Sequence, residues 1–154
     1  AVYGAMAAGE SLERLLAVLE EPGESISVRM AAAHAVACIA PDSNEASGRL
    51  LALVGSEGID ATLDTAIKVA LRGMGTAWLV ERLLERLEEG SGDDPRRFGA
   101  WQVLRAITSQ RMPLEAALWR QWWDAEPERE ECRFVRFRDE SDLQGRSTGL
   151  PEQQ

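Results

Sequence analysis

The chain repeats itself, and that repeat restricts its fold more than any other feature. Arg14-Leu15-Leu16-Ala17 returns as Arg49-Leu50-Leu51-Ala52 at an offset of 35, and as Arg82-Leu83-Leu84-Glu85 after a further 33. The same offsets carry Leu19 onto Val54 and Leu87. They also align a second segment: Val36 with Leu71 and Leu104, Ile39 with Met74 and Ile107, Ala35 with Ala70 and Val103. Two segments shifting together mark a duplicated two-element unit. A single leucine-rich stretch would match another by chance far more easily.

Both elements read as helix. Leu12, Leu15, Leu16 and Leu19 follow the i, i+3, i+4, i+7 spacing of one helix face. Met30, Ala31, Ala35, Val36 and Ile39 behave similarly. Asp42 with Glu45 resembles a capping box after Pro41, and Asp94-Pro95 supplies an N-cap followed by proline at the first helical position. Pro22-Gly23, Gly55 with Gly58, and Gly90-Ser91-Gly92 are turn chemistry, and Gly73 with Gly75 suits a helix end. The expected helices are 11–21, 26–40, 43–55, 60–74, 77–89, 95–109 and 113–125. Stacked helix pairs bury their apolar faces against one another, so the expected core runs along the stack. Alanines at 32, 35, 66, 70 and 100 permit close helix approach.

Val28-Arg29-Met30-Ala31-Ala32-Ala33-His34-Ala35-Val36-Ala37-Cys38-Ile39 resembles the second helix of a HEAT repeat: a Val-Arg pair, alanines, then aliphatic residues. Leu12 to Leu19 resembles the first helix. Leu63-Asp64 and Arg96-Arg97 replace the Val-Arg pair in the later units, and Phe98-Gly99-Ala100-Trp101 is bulkier. Ile107-Thr108-Ser109-Gln110 followed by Trp119-Arg120-Gln121-Trp122-Trp123 resembles the closing element of bacterial HEAT-like proteins. The resemblance implies an all-α, right-handed α-α superhelix of about three helical hairpins plus a C-terminal capping helix. The units are expected over 11–40, 43–75 and 77–110, with the cap over 113–125, inside a domain of residues 1–126. Leu114, Leu118 and Trp122 share the expected core-facing side of the cap, with Trp119 and Trp123 beside it. Residues 127–154 read as an extended or flexible segment. Within it Cys132, Phe134, Val135 and Phe137 alternate with arginines, as a short strand would.

Composition narrows the function. There are 26 acidic and 17 basic residues, a net charge of −9, which opposes generic phosphate binding. No apolar run is long enough to cross a membrane as a helix. The compartment stays open, with the cytoplasm favoured. Only one histidine is present. No zinc-type Cys/His spacing, phosphate loop or hydrolase string occurs. His34 reads as a surface or rim residue, Cys38 as a small core residue, and Glu81, Glu85, Glu88 and Glu89 as a solvated face. The expectation is a chain without catalysis, metal or cofactor.

The second helices nevertheless hold a basic excess. In the resembled family they line the concave face. Equivalent positions then form three columns: Arg29, Asp64 and Arg97; Ala33, Lys68 and Trp101; Ala37, Arg72 and Arg105. Arg29, Lys68, Arg72, Arg97, Trp101 and Arg105 are therefore the candidate binding residues for an acidic protein or peptide. Guanidinium groups grip carboxylates through paired hydrogen bonds, and an indole adds apolar area. The alternatives are an ordinary solvated face with Trp101 folded into the core, a spacer within a larger protein, or a HEAT-like enzyme or accessory of bilin-lyase or DNA-glycosylase type.

Overall fold

A computed structural model describes residues 2–126, with side chains from residue 8 onward. The described chain is all-helical: α1 (Val2–Glu20), α2 (Ile26–Ile39), α3 (Asn44–Leu53), α4 (Ala61–Arg72), α5 (Ala77–Glu89), α6 (Pro95–Thr108) and α7 (Ala116–Asp124). The strand suggested around Cys132 to Phe137 lies outside the described residues. α1 starts at Val2 rather than at 11, because residues 2–10 are rich in alanine and contain no proline to stop a helix.

Side-chain caps set most of the other boundaries. Ser25, Asp60 and Asp94 open α2, α4 and α6, and Ser43 and Thr76 open α3 and α5. Each accepts a first-turn backbone N–H that the helix itself cannot satisfy. The cap of α3 is Ser43 through Ala46 N, not Asp42. The hydroxyl of Ser43 stands at the residue where the chain turns into the helix.

The helices lie in two rows. α1 packs on α2, α3 on α4 and α5 on α6; α2 also meets α4, and α4 meets α6. In the other row α1 meets α3, α3 meets α5, and α5 meets α7. The repeat positions share environments accordingly. Leu16, Leu51 and Leu84 are buried, as are Leu19, Val54 and Leu87, then Ala32, Ile67 and Ala100, then Val36, Leu71 and Leu104. Three of the aligned apolar positions of the first unit depart, among them Ala35, which is partly buried where Ala70 and Val103 are buried. Leu15 is only partly buried, and Ile39 is 53% exposed where Met74 and Ile107 are buried. α1 and α2 pack chiefly on each other and on the second unit, whereas later units have neighbours before and after.

The seams between units are sealed in two ways. In the first, Arg49 on α3 bonds Glu20 and, at 2.8 Å, Glu13 on α1. In the last, Arg120 on α7 bonds Glu88 at 2.6 Å and Glu81 at 2.8 Å on α5. Glu13 and Glu20 are the repeat equivalents of Glu81 and Glu88, so one arginine grips the same two turns at both seams. The hydrogen bond to Glu88 is the largest influence raising the Arg120 pKa. Glu88 is exposed, as a solvated carboxylate face requires, and Glu81 is half-buried; beyond that reading, both are ion-paired with Arg120. The middle seam has glycine at both equivalent positions, Gly48 and Gly55. There Trp78 packs over Gly48, where an added Cβ would lie 3.2 Å from the ring, and Arg82 stacks on the indole at 5.6 Å.

The closing helix presents a different face from the expected one. Trp119 and Trp123 are buried, and Leu118 is 37% exposed. α7 begins at Ala116, so Leu114 lies before it and the 114/118/122 spacing is not a helical stripe.

Candidate functional site

The six candidate binding residues fall into three groups. The first column ties helix ends together. Carbonyls in the last turn of a helix have no partner within it. Arg29 Nε donates to Leu19 O at 2.8 Å, and Arg97 Nε donates to Leu87 O at 3.2 Å, both ten residues back. In the middle unit Asp64 holds the equivalent position and accepts from Gly55 N at 2.9 Å. The orphaned Val54 O is reached instead by Arg86 Nη1 at 3.4 Å. Burial, followed by the nearby Arg96, lowers the Arg86 pKa. Arg29 and Arg97 therefore direct their Nε donors into the hairpins. Arg29→Ala is expected to cost about 1–3 kcal/mol, the scale of a charged hydrogen bond to a part-buried acceptor. Urea unfolding followed by circular dichroism would measure it.

Lys68 is also engaged. Its ammonium pairs with Asp64 Oδ2 at 2.6 Å and donates to Gln102 Oε1 at 2.7 Å, bridging α4 and α6. Asp64 thus links the α3–α4 turn, its own helix and, through Lys68, the next one.

The third group is Arg72, Trp101 and Arg105. Trp101 is partly buried: its Nε1–H donates to Met112 O at 3.0 Å, and its ring meets Phe98 at 5.4 Å. These contacts hold the indole in place with part of its surface open to solvent. The Arg105 guanidinium lies over that ring at 4.7 Å, and Arg105 itself is exposed. Arg72 on α4 is exposed and, among the described residues, makes no side-chain hydrogen bond or ion pair. Both arginines keep donors available to an incoming carboxylate.

Other features escaped the sequence reading. Phe98, 47% exposed, borders a groove of about 670 Å³ with Ile59, Arg96 and the Gly55–Ile59 turn. A second groove of about 450 Å³ runs between α2 and α4 past His34, Cys38, Ala66 and Val69. Cys38 is exposed, not a core residue, because α2 turns Ala32, Ala33 and Val36 inward. Its position two residues after Val36 already places it on another side of the helix. Among the described residues no three His, Cys, Asp or Glu side chains converge as a metal site, and no helix is long and apolar enough to cross a membrane.

Comparison with protein-family models, with curated proteins and with solved structures gives no match.

Proposed function

We propose that this chain is a HEAT-like superhelical scaffold, without chemistry of its own, that binds an acidic segment of another protein. The face concerned belongs to α2, α4 and α6. The observation that carries the reading is the Arg105 guanidinium stacked at 4.7 Å on an indole that is itself anchored to Met112 O. Stacking restrains the arginine without consuming its hydrogen-bond donors, so less freedom is lost when a carboxylate arrives. Arg72, in the same repeat column on the preceding helix, adds a second cation with free donors. The net charge of −9 favours a local basic patch for a protein partner over a nucleic-acid surface.

Arg29, Arg97 and Lys68 support the face by fixing the helices that carry it. The test is co-purification from the source cell with the wild type and with the Arg72→Glu, Arg105→Glu double variant. Both side chains are exposed, so folding should persist. The double reversal is expected to weaken partner recovery by at least about tenfold. Equal recovery would remove this face from consideration.

A further inference from the structure

We propose that His34 and Cys38 form half of a zinc site, completed by the same pair from a second copy of this chain. The two residues stand one turn apart on α2, and His34 Nε2 lies 3.6 Å from Cys38 Sγ. Zinc bonds to sulfur at about 2.3 Å and to imidazole nitrogen at about 2.0–2.1 Å; a tetrahedral angle then sets the two donors about 3.5 Å apart. The pair is thus already spaced to chelate one ion. Both residues are exposed, so the ion can enter from solvent.

Two ligands leave a structural zinc site half filled. Among the described residues no third histidine, cysteine or carboxylate converges on the pair. A two-fold axis through the metal brings an identical pair and yields Cys₂His₂, a closed zinc coordination set. The surroundings suit that contact. The groove beside the pair is lined by uncharged residues, including Ala66 and Val69. Val69 is 62% exposed, and Ile39, next to Cys38 in the chain, is 53% exposed. These apolar side chains lose water when two copies meet. Each thiol releases its proton to solvent on binding, so two thiolates neutralise one zinc ion. A neutral complex is compatible with an uncharged groove. The groove runs beside Arg72 on α4 but lies apart from Trp101 and Arg105 on α6, and its metal readout does not depend on the peptide-binding reading.

The experiment uses the untagged full chain with Cys132→Ser, which leaves Cys38 as the sole thiol. Zinc is titrated while sedimentation velocity reports mass, and cobalt(II) reports thiolate ligation through its visible absorption. The expected result is a dimer holding one metal per two chains, reversed by a chelator. Cys38→Ser and His34→Asn, both at exposed positions, should each raise the zinc concentration needed for dimerisation by at least about tenfold. Metal bound one per monomer would overturn the proposal. So would a dimer that forms equally without zinc, affinity unchanged in His34→Asn, or no binding at all, which would leave only a thiol–imidazole hydrogen bond.

Discussion

Gly55→Ala is expected to destabilise the protein by about 2–5 kcal/mol. Gly55 has φ +65°, a left-handed conformation that costs a residue with a Cβ about 1–2 kcal/mol. A Cβ there would also lie 2.6 Å from Pro95 C and O and 2.7 Å from Arg96 N. Those are backbone atoms at the start of α6, so no flexible side chain can yield. Either α6 shifts or the α3–α4 turn does. The same turn donates Gly55 N to Asp64, which holds Lys68, so the disturbance spreads to the α4–α6 contact. The melting temperature should fall by roughly 10 °C. Gly58 is the control: its φ is +73° but open space surrounds it, so Gly58→Ala should cost only the conformational part, about 1–2 kcal/mol. Equal losses at both positions would show that contact with Pro95 contributes nothing.

Trp119→Ala should cost about 3–5 kcal/mol, the range for emptying an aromatic site in a core. Trp119 is fully buried, its Nε1–H donates to Pro113 O at 2.9 Å, and its ring meets Trp122 edge-on at 6.1 Å. Removing it opens the end of the core and leaves a carbonyl without its donor. Leu118→Ala, one residue earlier on the exposed side of α7, should cost under about 1 kcal/mol. Chemical denaturation of the two variants decides which face of α7 closes the core. A larger loss for Leu118→Ala would restore the face that the 114/118/122 spacing suggested.

The helical content and its division into paired units were legible in the repeat, because burial follows the 3.6-residue period and the offsets preserve it. Leu16, Leu51 and Leu84 could be matched, and found buried, without knowing any crossing angle. Position alone could not tell what each polar side chain does. Arg29, Arg97 and Arg105 are the same residue type on the same row of helices. Two of them reach carbonyls ten residues back, and the third lies on an indole.

Glu81 and Glu88 looked like solvent-facing charge until α7 brought Arg120 within 2.8 Å of both. The face of α7 depended on where that helix begins, and Glu115 at its N-cap forms no side-chain cap that would mark the point. Periodicity is local and survives in the linear order of residues, so the sequence by itself determined the all-helical class, the order of the helices and most of the core, though not where α1 and α7 begin. Partnership between charged groups depends on distances across a seam, which are set only once the helices pack. Tertiary structure alone therefore decided that Arg29, Lys68 and Arg97 are engaged within the fold, while Arg105 lies over an indole and Arg72 stays exposed.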